Sequence, residues 1–281
     1  MGKSGPWEFH VTSPSESLVA DIAGYAGFEE QPGRIVRRLE VPGPSPLLVL
    51  TFGERLRVSA VDKLPTVTLV RGFLVGPGAA PAIVEHNGSL RCLEVSLSPW
   101  ATTSCFGPLD GLQGSIVPLE DLWQQEARLL PERLAESPNW ESRFALIDHV
   151  LKKKISALKQ VVRPEIRWAW SEIKRLNGNI AIAQMARTIG CSSRHFVSSF
   201  REQIGLTPKA AARRFRFDRA RRLVSGLAPA LAEVALMCGY SDQSHLTREF
   251  QELAGCSPAV YRFARFADLP GIAADLACER L

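Results

Sequence analysis

One stretch of this sequence occurs twice. Met185-Ala186-Arg187-Thr188-Ile189-Gly190-Cys191-Ser192-Ser193-Arg194-His195-Phe196-Val197-Ser198-Ser199-Phe200 runs on to Gly205-Leu206-Thr207-Pro208. Val234-Ala235-Leu236-Met237-Cys238-Gly239-Tyr240-Ser241-Asp242-Gln243-Ser244-His245-Leu246-Thr247-Arg248-Glu249-Phe250 runs on to Gly255-Cys256-Ser257-Pro258. Ala186/Ala235 and Gly190/Gly239 stand 49 apart, whereas His195/His245, Phe200/Phe250, Gly205/Gly255 and Pro208/Pro258 stand 50 apart. The second copy therefore holds one extra residue in its turn. Two copies are too few for a solenoid, so the repeat predicts a pair of tandem modules.

Each copy has the grammar of a helix-turn-helix. Ile182, Met185, Ala186 and Ile189 form an apolar stripe, Gly190 frees the backbone for a tight turn, and Ser192 can cap a second helix anchored by Phe196 and Phe200. In the second copy Leu231, Val234, Ala235 and Cys238 make the stripe, Gly239 turns, Ser241 is the expected cap, and Leu246 and Phe250 anchor. An αα-hairpin that binds nothing shares this grammar; its doubling within a basic segment favours DNA. Opposite the anchors lie Arg194, Val197, Ser198 and Arg201 in one copy, and Gln243, Ser244, Thr247, Arg248 and Gln251 in the other. Arg and Gln carry the forked donors and acceptors that read guanine and adenine edges, and Val197 and Thr247 suit a thymine methyl. Between the copies, 210–224 lacks Gly and Pro and predicts one continuous arginine-rich helix, a rod that would hold two recognition helices about 34 Å apart, one turn of the duplex. Some of its arginines are expected in salt bridges to Asp218 and Glu233, and none is assigned to a base.

Charge agrees. Residues 165–265 hold 16 Lys and Arg against 8 Asp and Glu, a surplus of eight, while the rest of the chain carries a slight negative excess. A basic module on a mildly acidic body suits a polyanion. The 281 residues allow two domains. The six cysteines form no C-x-x-C, the start has no apolar signal core, and the most apolar window, 64–84, contains Arg71 and three prolines. A soluble, cytoplasmic protein that meets no membrane is expected.

The first 117 residues predict a β-rich sandwich or barrel. Ile35–Val41, Leu47–Phe52, Thr66–Val70 and Leu90–Leu97 are short runs rich in β-branched residues, the last alternating as a half-buried strand does, and Asn87-Gly88 predicts a hairpin. From Pro118 the apolar spacing turns helical: Leu119, Leu122, Trp123, Ala127 and Leu130, then, beyond the break at Pro138-Asn139, Phe144, Ile147, Leu151, Ile155 and Leu158. Lys152-Lys153-Lys154 reads as a solvated face. Pro164 opens a helix to Asn177, stopped by Gly178. The expected class is α+β: a β-rich domain (1–117), a helical connector or dimerisation segment (118–163), an all-α domain of two helix-turn-helix units joined by a long helix (164–266), and a tail (267–281).

With these residues in view, Ala235-x-x-Cys238-Gly239-Tyr240-x-Asp242-Gln243-Ser244-His245-Leu246-x-Arg248-x-Phe250, closing at Gly255-x-Ser257-Pro258-x-x-Tyr261-Arg262, resembles the signature of the AraC/XylS family of bacterial transcription regulators. The resemblance covers about 100 residues, 164–265, and implies two recognition helices in successive major grooves. Base contacts would fall on Arg194, Val197 and Ser198, and on Gln243, Ser244, Thr247 and Arg248. Ser198 stands where many relatives carry Arg, which shifts weight to Arg194 and Arg201. The helix starts after Thr207-Pro208 and Ser257-Pro258 suit phosphates. Gly72-Phe73-Leu74-Val75-Gly76-Pro77 and Val117–Trp123 resemble the family's β-rich sensor domain. Promoter DNA, RNA polymerase, a small-molecule effector and a second copy are the partners implied; no cofactor or metal is.

Catalytic patterns are missing. Gly72-x-x-x-Gly76-x-Gly78 lacks the Lys-Ser/Thr of a phosphate loop, no G-x-S-x-G occurs, and the five histidines are scattered. Glu85-His86 with Glu94 is the nearest approach to a metal set, and a satisfied surface pair is the expected reading. Cys191 and Cys238 read as buried, inert thiols. A β-rich ligand-binding enzyme tethered to DNA and an effector-independent DNA binder stay open beside the regulator.

Overall fold

The computed structural model describes residues 7–61, 68–157, 162–226 and 229–278. Thr66 and Val67 of the expected third strand, and Leu158 and Val161 near the expected domain boundary, lie outside them.

Ten strands come first: β1 (Trp7–Thr12), β2 (Ile22–Glu30), β3 (Val36–Glu40), β4 (Leu47–Thr51), β5 (Leu56–Ala60), β6 (Thr68–Val70), β7 (Gly72–Val75), β8 (Ala82–His86), β9 (Leu90–Leu97) and, after helix α1 (Pro99–Phe106) and a short 3-10 turn, β10 (Ile116–Pro118). They make two antiparallel sheets, ordered β1-β2-β9-β4-β7-β10 and β3-β8-β5-β6. Helices α2 (Leu119–Trp123), α3 (Gln125–Glu136) and α4 (Trp140–Ala157) follow. With α1 they cover the outer face of the larger sheet, burying Leu48, Leu50, Leu74, Leu93, Val95 and Leu97 against Leu119, Leu130, Ile147 and Leu151. The inner face meets the smaller sheet through Val49, Phe73, Val75 and Cys92 against Leu56, Val58 and Ala82.

Two local expectations are corrected. Asn87-Gly88 makes a turn but no hairpin, because β8 pairs with β3 and β5 while β9 pairs with β2 and β4. The turn crosses from one sheet to the other, and the buried His86 secures it by accepting the Gly88 N–H on Nδ1 at 3.3 Å. The single helix expected over Leu119–Leu130 is two, broken at Gln124, whose φ of 47° and ψ of −115° lie off the helix. Its spacing stays helical on both sides, so periodicity hides the break.

The C-terminal part is all helical: α5 (Pro164–Arg175), α6 (Ile182–Ile189), α7 (Ser193–Ile204), α8 (Pro208–Ser225), α9 (Leu231–Met237), α10 (Gln243–Ala254), α11 (Pro258–Phe263) and α12 (Ala274–Cys278). One core gathers Ile166, Trp170, Met185, Ala186, Phe196, Phe200 and Phe215; another gathers Phe217, Val234, Ala235, Leu246, Phe250 and Tyr261. The long α8 serves both. The expected anchors Phe196, Phe200, Leu246 and Phe250 are all at most 1% exposed. Ser192 caps α7 as expected, accepting the His195 N–H at 3.2 Å. In the second unit the cap is Asp242, not Ser241: its Oδ1 accepts the His245 N–H at 2.7 Å, and Ser241 Oγ turns to His245 Nδ1. The extra turn residue moves the capping place one position along.

After α11 the chain returns to the β-rich part. Leu39 donates its N–H to the Ile272 carbonyl at 2.9 Å, Arg38 Nε donates to the Pro270 carbonyl at 3.1 Å, and Arg37 pairs with Asp275. On the other side Trp100 of α1 enters the first helical core and lies under Arg167 of α5 at 4.7 Å. Both helix-turn-helix units are thereby seated against the β-rich part.

Candidate functional site

The burial pattern repeats along α7 and α10. Phe196, Ser199 and Phe200 point inward from one helix, and Leu246, Glu249 and Phe250 from the other. Arg194, Ser198 and Arg201 are exposed, as are Gln243, Ser244, Arg248 and Gln251; Val197 and Thr247 are half-buried. Thr247 Oγ1 donates to the Gln243 carbonyl of its own helix at 2.9 Å. All nine residues singled out in the sequence thus lie on outer or flanking positions of two matching helices. Among the described residues Arg194, Arg201 and Arg248 make no salt bridge.

The arginines of α8 contrast with them. Arg213 and Arg216 reach Glu249 Oε2 at 2.9 and 3.2 Å, Arg213 also pairs with Glu252, and Arg221 and Arg222 hold Asp218 at 2.8 Å each. Arg214 donates to the carbonyls of Gly78 and Ala79 at 2.7 and 3.4 Å. The expected ion pairs to Asp218 are present. Glu233 instead accepts the Ala230 N–H at its own helix start. Five of the six arginines of α8 thus hold the fold together, while Arg194, Arg201 and Arg248 of the recognition helices form no salt bridge among the described residues.

Glu249 is a residue to which the sequence did not point. It is 4% exposed, and besides two arginines it accepts Tyr240 Oη at 2.7 Å. Burial, and next the Glu249 charge, push the Tyr240 phenol up, so it stays a neutral donor. A buried carboxylate that locks α10 to α8 and to the turn carries no motif. The only hint was the exchange of Ser199 for Glu249 fifty residues on.

A second feature lies between the sheets. Phe28, Val49, Phe73, Val75, Cys92 and Ile116 line a cavity of about 640 Å³ that is closed on one side by Phe215 and Asp218 of α8. Strand β9 explains it. Leu93, Val95 and Leu97 enter the helix-covered core, while the alternate set Cys92, Glu94 and Ser96 faces the cavity. The polar phase of this strand, which alternation predicts on a solvated face, lines an internal space. The second correction concerns His86: it is not on the surface but 2% exposed, 3.5 Å from Glu30, whose carboxylate also holds Arg38 at 2.9 Å, while Glu85 pairs with Arg37 and Arg57. Cys238 is buried as expected and its thiol is pushed up, first by desolvation; Cys191 is only half-buried.

Glu94 titrates at about 7 instead of its ordinary 4.5, because burial disfavours the charged form and Glu40 adds repulsion, with Arg38 offsetting part. The folded protein therefore holds a proton that the unfolded chain has lost between about pH 4.5 and 7, and stability falls across that window. Glu94→Gln removes this loss. Denaturant unfolding should show the variant's advantage over wild type growing by about 2–3 kcal/mol from pH 5 to pH 8. A constant difference would contradict the raised titration.

A profile for a helix-turn-helix domain matches residues 185–264. The probable transcriptional regulator LumQ of Photobacterium leiognathi is 32% identical over 90 residues, which cover 32% of this chain and 36% of that protein. The arabinose operon regulatory protein of Escherichia coli is 25% identical over 123 residues, 42% of each. The C-terminal part is an AraC/XylS-type double helix-turn-helix domain. The AraC/XylS-type domain accounts for these matches, and the chain spans less than half the length of either relative. Among solved structures, ToxT from Vibrio cholerae aligns over 92% of this chain and 98% of its own, with 9% identity and a TM-score of 0.48.

Proposed function

We propose that this chain is a sequence-specific DNA-binding transcription regulator, not an enzyme, that lays α7 and α10 in successive major grooves and takes a small-molecule effector in its N-terminal cavity. The observation that carries the reading is the contrast in the arginines: Arg213, Arg214, Arg216, Arg221 and Arg222 of α8 are engaged within the protein, and Arg194, Arg201 and Arg248 stand exposed on twin helices without ion pairs among the described residues. Arg194, Gln243 and Ser244, nearest the helix starts, and Arg248, just over one turn further along α10, read base edges; Val197, Ser198 and Thr247 line the contact; Arg201 and Gln251 lie toward the backbone. At α8 and α11 the Thr207 and Ser257 hydroxyls take the Ala210 and Val260 amides at 3.2 Å, which leaves the first-turn amides of Lys209 and Ala259 for phosphates. Promoter DNA in the cytoplasm, and RNA polymerase with it, are the partners of such a regulator.

The test starts by selecting bound fragments from a genomic library. Arg248→Ala should then cost on the order of 1–3 kcal/mol on the selected site and relax discrimination at one base pair. Equal weakening on every sequence would make Arg248 a phosphate contact and remove its reading role. Sequence preference should survive as salt is raised, since the counterion-release part of affinity is blind to sequence.

A further inference from the structure

The cavity between the sheets has a chemistry of its own. Its walls are mainly apolar, with Phe28, Phe73 and Phe215 among the aromatics. Its charged groups fall into two sets. Arg38 is bound by Glu30, and Arg221 and Arg222 are bound by Asp218. Lys174 is exposed at the rim. Glu40 and Glu94 differ: both line the cavity, and neither carboxylate makes a hydrogen bond or salt bridge to any described residue. Both keep accessible surface, Glu40 more than Glu94, and both line the cavity, where packing around them still disfavours the charged forms. They repel each other closely enough to disfavour ionisation of Glu94.

An empty arrangement of this kind is costly. Arg38 and Arg221 act on these carboxylates from nearby but are themselves held by Glu30 and Asp218, so the two recover only part of their desolvation. A positively charged group between them would recover it, while the aromatic walls would accept the body of the molecule and favour the cation over their faces. An anionic head at that place would meet the repulsion of both carboxylates, and a neutral one would gain only hydrogen bonds.

We infer that the effector of this cavity is an organic cation, an amine on an apolar or aromatic body, whose charged head sits between Glu40 and Glu94. This rests on the proposed effector role of the cavity and names its ligand class. Phe215 and Asp218 belong to α8, so the occupant touches the helix that both helix-turn-helix units share.

Three probes with one body and different heads test the inference on the full chain: phenylbutylamine, phenylbutanol and phenylbutyrate, measured by titration calorimetry near pH 8, where Glu94 is ionised. The amine should bind at least about tenfold tighter than the alcohol, with phenylbutyrate weakest. Glu94→Gln and Glu40→Gln should each reduce that preference, and the double variant should abolish it, bringing the amine to the affinity that the alcohol has for the same variant. Binding of phenylbutyrate or phenylbutanol as tight as the amine, no binding of the amine, or a preference that survives in both single variants would overturn the assignment. The head-group comparison on wild type stands even if the double variant fails to fold. Operator affinity on the same preparation separates the two readings: a failed amine preference with intact specific DNA binding sinks only the ligand class, and lost DNA specificity with a kept amine preference sinks only the DNA role.

Discussion

Replacing Gly178 with alanine should unfold the first helix-turn-helix unit under conditions where the wild type is folded. The Cβ of any side chain at 178 would stand 1.8 Å from the Ala212 carbonyl oxygen and 2.7 Å from its carbon, backbone atoms of α8 that no rotamer change can move. The residue also holds φ at +76°, a conformation L residues adopt only at a cost. Relief requires α5 to separate from α8, which opens the core around Ile166, Trp170 and Phe215. A loss of at least about 3 kcal/mol follows, in the range reserved for named structural faults. For a unit of this size that is a fall of more than about 12 °C in Tm. Gly190→Ala is the control: it shares a positive φ, +79°, but no atom lies within 4 Å of the place its Cβ would take. It should lose only about 1 kcal/mol. Equal losses in the two variants would mean that backbone strain, not contact with α8, sets the cost.

Glu249→Ala should be nearly as damaging, and by a different route. The carboxylate is buried and shared by Arg213, Arg216 and Tyr240; the Arg216 guanidinium also lies over the Tyr240 ring at 5.0 Å. Removing it leaves Arg216 and the Tyr240 phenol without that acceptor and Arg213 with Glu252 alone, and losing one side of such a buried network costs about 3 kcal/mol. Because α10 is the helix proposed to read DNA, its seating on α8 goes with it. Equilibrium unfolding and operator affinity should fall together, whereas Arg248→Ala should weaken DNA binding with Tm unchanged. Glu249→Gln keeps the shape and one acceptor for Tyr240, and should recover part of the stability. If Glu249→Ala melts within about 1 kcal/mol of wild type, Arg213 and Arg216 find other partners and the lock assigned to Glu249 does not exist.

The helix-turn-helix units were legible because their information is local. Spacing of Phe196 to Phe200 and of Leu246 to Phe250, a glycine at each turn and a proline after a hydroxyl residue at 208 and 258 all act within a few residues, and doubling makes them conspicuous. The errors came where one residue changes the outcome. Asp242 takes the cap that Ser241 was expected to hold, and Gln124 breaks a helix without disturbing its apolar spacing. The β-rich part was read as a class and not as a topology, since a strand's alternation does not name its partner. Asn87-Gly88 shows the limit: the turn was visible, and the fact that its two strands join different sheets was not.

From the order of residues alone came the paired modules, the continuous helix between them and the outward faces of α7 and α10, because periodicity and capping are contacts between near neighbours in the chain. Only the folded molecule decided that Arg213 and Arg216 of α8 serve Glu249, that Glu249 fastens a recognition helix, and that Glu40 and Glu94 look into a shared cavity. Those outcomes depend on residues 33 to 54 positions apart meeting in space, and on whether a polar side chain faces bulk water or a cavity, which no local pattern encodes.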